Sequence, residues 1–128
     1  MLTGNTDLQI QADIFNAMSS SDIYPHAIDR IAQQDTIISK VFLTGQYAYK
    51  IKKPVNLEYL DFTTLENRKH YCEQEVHLNR RLAPDVYLGV VPITFEDGQY
   101  HLAGSGTPTE YAVKMRQLPE RLSMRNLI

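Results

Sequence analysis

The residues whose types and spacing could do chemistry are two lysines and a glutamate: Lys50, Lys52 and Glu75. Along YAYKIKKPV a period of two puts Ala48, Lys50 and Lys52 on one strand face and Tyr47, Tyr49, Ile51 and Lys53 on the other, until Pro54 ends the strand. Glu75 interrupts the apolar arc of a helix predicted over residues 64–82. At roughly 100° per residue, Tyr71, Cys72, Val76, Leu78 and Leu82 share that arc, with Leu65 at its N-terminal edge. An unpaired buried carboxylate costs on the order of several kcal/mol, so Glu75 demands a cation. The preceding strand offers Lys50, with Lys52 as a competitor. Such a pair adds little stability over an apolar pair of similar volume and is better explained by what it positions. A lysine backed by a glutamate suits phosphate oxygens. The bland alternatives are a solvated strand lysine, a description that fits Lys53, and a glutamate leaning to solvent from a narrower apolar face.

The elements that must position these groups follow from the surrounding pattern. Residues 6–18, TDLQIQADIFNAM, begin with the cap-type Thr6 and Asp7 and set Leu8, Ala12 and Phe15 at helical spacing. SSSDIYP then breaks the helix and reads as a linker into the main domain. Residues 29–43 give two short strands around a turn near Gln33 to Asp35. Gly45 supplies a hairpin turn, and YAYKIK makes the lysine strand. NLEYLDFT has no strong period and reads as a packed loop. After the central helix, two strands flank the Asp97-Gly98 turn, GSGTPTE is a flexible connector, and residues 111–115 form a last strand. The expected fold class is α+β: about five antiparallel strands, one long helix after the third, and an N-terminal helix.

Hydrophobic residues are 43% of the 128 and charged residues 22%, the balance of one globular domain. Thirteen basic and fifteen acidic residues leave a formal charge of -2, which argues against recruitment of nucleic acid by a global field. A local reading through Lys50, Lys52, Lys53, Arg80 and Arg81 carries a distinct signature, steeply salt-dependent affinity. No apolar run approaches the roughly 20 residues of a membrane span, and MLTGNTDLQI lacks the order of a secretory signal. A cytoplasmic protein without a membrane partner is expected. Cys72, the single cysteine, forms no intrachain disulfide and falls on the buried arc. His70, Glu73 and His77 project to one helix side at spacings of three and four, yet two further ligands for zinc are not visible, so a solvated polar face is the expectation.

YAYK resembles the V-A-I-K strand of protein-kinase-like folds, and the helix running from Gln74-Glu75-Val76 to Leu82 resembles the one supplying the paired glutamate. KIKKPV, YLDFTTLENR, EVHLNRRLAPDVYLGVVPI and YAVKMRQLP together resemble the N-terminal part of a bacterial aminoglycoside phosphotransferase-like family, often fused to a downstream P-loop ATPase domain. The resemblance covers roughly residues 25–120. It implies a kinase-like N-terminal lobe there, with 1–24 as helix and linker and 121–128 as the start of a truncated C-terminal lobe. It also implies ATP or GTP with Mg2+ as cofactor. Lys50 would contact the α- and β-phosphates and Glu75 would orient it. Ala48 would line the adenine pocket, with Met115 at its back. Arg116, Gln117 and Leu118 would form the hinge whose backbone pairs with adenine. The turn from Gln33 to Ser39 would cover the phosphates, with Thr36 or Ser39 as hydroxyl donors.

Two departures stand beside the resemblance. AQQDTIISK contains no glycine, whereas protein kinases cover the phosphates with a glycine-rich loop. No residue matches the catalytic-loop aspartate or the metal-binding aspartate, so catalytic residues are expected outside this chain. The leading expectation is the nucleotide-binding lobe of a kinase-like phosphotransferase, incomplete for catalysis, whose partners are the nucleotide and a missing C-terminal lobe or another protomer. The alternative is a non-catalytic interaction or regulatory module that keeps the lobe, pairing as a homodimer over its exposed apolar face.

Overall fold

A computed structural model describes residues 7–117. The elements run α1 (Asp7–Met18), a 3-10 turn (Ser21–Ile23), β1 (Ala32–Asp35), β2 (Ser39–Leu43), β3 (Tyr47–Lys52), β4 (Asn56–Leu57), β5 (Leu60–Asp61), α2 (Leu65–Arg80), β6 (Tyr87–Glu96), β7 (Gln99–Leu102) and β8 (Thr107–Arg116). Six strands form one antiparallel sheet in the order β1-β2-β3-β8-β6-β7, curled into a half-barrel, while β4 and β5 make a separate hairpin.

This corrects the expected fold class. The molecule is mostly sheet, with six strands rather than five in the main layer, and α2 follows the fifth strand of the chain rather than the third. All six segments read as strands join the main layer, one more than the count of about five. The place of α2 differs because NLEYLD, which reads as a packed loop, forms the β4–β5 hairpin, whose strands are only two residues long, too short to show a period. The turn expected at Gln33 to Asp35 instead falls at residues 36–38, so these polar residues belong to edge strand β1, where side chains can meet water.

The sheet is covered on both faces. Ile14 and Met18 of α1 pack with Phe42, Tyr49, Ile51, Ile93 and Ala112 on one side. Cys72 and Val76 of α2 pack with Val41, Ala48, Tyr87, Val113 and Met115 on the other. Strand β3 runs between β2 and β8, and five of its six residues are buried, both lysines among them. The buried face of α1 is Gln11, Ile14 and Met18; Leu8, expected on it, is 70% exposed. Tyr24 anchors the segment after α1 by donating its hydroxyl to the Met18 carbonyl at 2.6 Å.

Local chemistry sets the ends. Thr64 caps α2, its hydroxyl accepting from the Asn67 N–H at 3.0 Å. Gly45 turns β2 into β3 at φ +103°, where a Cβ would also meet the Asp29 carboxylate at 2.7 Å. Asp97 and Gly98 both adopt positive φ between β6 and β7, as a two-residue hairpin of the expected type requires. Cys72 is fully buried, and burial pushes its thiol up to about 12. Among the described residues no helix is long and apolar enough to cross a membrane.

Candidate functional site

Strand β3 and helix α2 bring Lys50, Lys52 and Glu75 together. Lys50 Nζ donates to Glu75 Oε2 at 2.8 Å, and Lys52 Nζ donates to Oε1 at 2.7 Å. The two lysine side chains are 4% and 6% exposed and the glutamate 13%, so the cluster is largely desolvated. Two ammonium groups and one carboxylate leave a single unbalanced positive charge inside the protein. The sequence posed Lys50 and Lys52 as competitors for Glu75; the structure seats both. Lys52 also lies over the Phe62 ring at 5.2 Å, which accommodates its charge on an apolar wall.

Beside this cluster is a cavity of about 470 Å³ lined by Gln34, Asp35, Thr36, Ile38, Ser39, Val41 and Lys50. The turn expected to cover phosphates and the lysine expected to contact them therefore border one space. Thr36 Oγ1 is committed within the turn, accepting from the Ser39 N–H at 2.9 Å and donating to the Ser39 carbonyl at 3.1 Å. The Ser39 hydroxyl is 3% exposed as a residue and makes no hydrogen bond among the described residues. Lys53 bonds the Thr36 carbonyl at 2.7 Å and the Asp35 carboxylate at 2.6 Å, and Lys40 holds the other Asp35 oxygen at 2.9 Å. A turn without glycine is thus braced by lysines, and Lys53 is part of that brace.

Ala48 and Met115 are register partners on β3 and β8, both fully buried in the cluster that includes Val41, itself part of the cavity wall. The hinge residues are differently disposed. The Arg116 N–H donates to the Val86 carbonyl and the Gln117 N–H to the Gln46 carbonyl, so neither is free to donate to a base. The Gln117 side chain accepts from the Gly45 N–H at 2.8 Å. Leu118 lies outside the described residues, as does the segment 121–128. His70, Glu73 and His77 are all exposed, and no group of three or more potential metal ligands is gathered among the described residues.

A second buried ionic group adjoins the first and was not anticipated. Arg68 Nε donates to both oxygens of Glu110 at 3.1 and 3.2 Å, and its Nη1 to the Phe62 carbonyl at 2.8 Å. Gln11 of α1 spans the two groups, donating to Glu110 Oε2 at 3.0 Å and to the Lys52 carbonyl at 2.7 Å. Arg68 stands four residues before Cys72 and seven before Glu75, so the helical spacing that placed Glu75 on the buried arc places Arg68 there as well. Conversely, Leu78 and Leu82, assigned to the arc, are 56% and 86% exposed.

The two carboxylates titrate in opposite senses. Burial alone would raise Glu75, but the charges and hydrogen bonds of Lys50 and Lys52 outweigh it and hold the carboxyl below its ordinary 4.5. Glu75 therefore contributes stability that is present above pH 4.5 and is lost as pH falls through its folded value. Burial pushes Glu110 above 4.5 despite Arg68 and Gln11, so its contribution is present below pH 4.5 and is lost as pH rises. Glu75→Gln is expected to be less stable than the parent at neutral pH but to lose less on acidification to about pH 3. Melting curves across that range check this; parallel losses in the two proteins would show that the triad does not set the acid limb.

The chain is 34% identical over 96 residues to uncharacterized proteins of Mycobacterium bovis and Mycobacterium tuberculosis, the match covering 74% of this chain and 18% of each relative. It spans less than a fifth of the length of the curated relatives it matches. No family model and no solved structure matches the chain.

Proposed function

We propose that this chain binds the polyphosphate of a nucleotide, ATP or GTP, as the nucleotide-binding part of a phosphotransferase of the kind the aminoglycoside phosphotransferase-like resemblance implies. The observation that carries the reading is the unbalanced buried charge of the Lys50–Glu75–Lys52 cluster beside a cavity that Lys50 lines. A desolvated positive charge is costly without a counter-ion, and a phosphate oxygen supplies one. The unpartnered Ser39 hydroxyl, buried in the same wall, is a second group suited to a phosphate oxygen.

The residues present fit the phosphates better than they fit the magnesium that the resemblance implies. Glu75 is held by Lys50 and Lys52, and Asp35 by Lys40 and Lys53, so neither carboxylate beside the cavity is free to ligate a cation. What the chain's own residues do is hold Lys50 against the cavity and keep its ammonium oriented through Glu75. Calorimetric titration of the 128-residue chain with ATP, in magnesium and in EDTA, tests the reading. Saturable one-site heat in either condition supports it, and absence of binding at millimolar nucleotide in both overturns it.

A second reading, an interaction module, is favoured by Leu78 in the last turn of α2 and Leu82 in the turn just after it, both exposed. Light scattering over a concentration series tests it, through the growth in mass expected of self-association.

A further inference from the structure

We propose that Lys52 is the charge-setting residue of this site, letting it bind a nucleotide polyphosphate that carries no divalent cation. The proposal rests on the nucleotide reading above and adds which form of the ligand is taken.

Lys52 and Lys50 occupy different oxygens of one carboxylate, and only Lys50 lines the cavity. A single lysine on Glu75 would leave a neutral pair, with the lysine charge largely cancelled as seen from the cavity. With Lys52 on the second oxygen, Glu75 is already neutralised and the full charge of Lys50 is presented to a ligand. Lys52 is fixed in that office by its surroundings. Its ammonium rests over Phe62, and its carbonyl accepts from Gln11. The adjacent Glu110 is engaged by Arg68 and Gln11 rather than by either lysine. Magnesium cancels about half of the charge of a nucleoside triphosphate, so a site with a net positive charge gains most from the metal-free form. Among the described residues, the two carboxylates beside the cavity, Glu75 and Asp35, are each already bracketed by lysines.

The test is the affinity for ATP in EDTA and in excess magnesium, measured by calorimetry on the unmodified chain, Lys52→Met and Lys52→Arg. The unmodified chain is expected to bind ATP in EDTA at least as tightly as with magnesium. Lys52→Met keeps the volume and leaves Lys50 and Glu75 as a neutral pair. It is expected to lose roughly tenfold to a hundredfold in EDTA, and less in magnesium, because Coulomb energy scales with ligand charge. Lys52→Arg keeps the charge and is expected to stay within about threefold of the unmodified chain in EDTA. Binding that requires magnesium overturns the proposal and leaves the nucleotide reading intact; no binding in either condition overturns both. Equal losses for Lys52→Met in the two conditions, or a Lys52→Arg variant as weak as Lys52→Met, also overturn it, since a purely structural role would act that way. Should Lys52→Met fail to fold, the unmodified chain and Lys52→Arg still decide the matter.

Discussion

Lys50→Met is expected to lose ATP binding by roughly a hundredfold or more, with and without magnesium, while its unfolding free energy stays within about 1 kcal/mol of the parent. The two halves of that expectation have one origin. Lys50 is the member of the triad that lines the cavity, so its removal takes away the charge a phosphate would meet. Glu75 nevertheless keeps Lys52 at 2.7 Å, so no carboxylate is left buried and unpaired, and methionine fills most of the lysine stem's volume. Calorimetry and urea denaturation of the same preparation check both halves. Unchanged ATP affinity would remove Lys50 from the site. A variant unable to fold would make the triad a structural device first.

Arg68→Met is expected to destabilise the fold by about 3–5 kcal/mol at neutral pH, because it strands a buried carboxylate. Arg68 and Glu110 have side chains 2% exposed, and among the described residues only Gln11 and the Tyr111 N–H still donate to Glu110 without the guanidinium. The loss should shrink in acid. Glu110 already sits above its ordinary value, and its protonated form carries no charge to desolvate. Arg68→Met combined with Glu110→Leu is expected to recover most of the stability, as apolar replacements of whole buried pairs do. Urea midpoints for the single and double variants read this directly. A single variant as stable as the parent would mean that water reaches Glu110.

The lysine–glutamate contact was legible because two short-range periods intersect at it: alternation on β3 and the helical arc of α2. Arg68 obeys the same arithmetic and was passed over because an arginine in a helix is normally solvated. The partner that explains it, Glu110, lies 42 positions away on another strand. Leu78 and Leu82 show the converse. Their spacing puts them on the arc, but spacing does not say how far along a helix the sheet continues, and α2's buried residues end at Val76. On α1 helical spacing singles out the apolar Leu8, Ala12 and Phe15, whereas the inward face is led by Gln11, whose polar end is satisfied by partners 41 and 99 positions away. The separate β4–β5 hairpin was illegible for the related reason that two-residue strands have no period to detect. Local repetition therefore revealed who shares a face, and long-range pairing decided what that face meets.

The Gln11 amide also bears on how small a working fragment of this chain can be. A fragment trimmed to begin after the Tyr24–Pro25 bend would keep every strand of the sheet and both lysines. It would nonetheless strip the cover from Phe42, Tyr49 and Ile51 and remove the clasp joining the end of β3 to β8. Deletion mapping that judged the first helix a dispensable leader would report a loss of stability, and with it of the proposed nucleotide binding, although Lys50 and Glu75 remain. Limited proteolysis has the same trap, because a single cut in the serine-rich bend would leave two pieces still held together by Tyr24, Gln11 and the apolar seam.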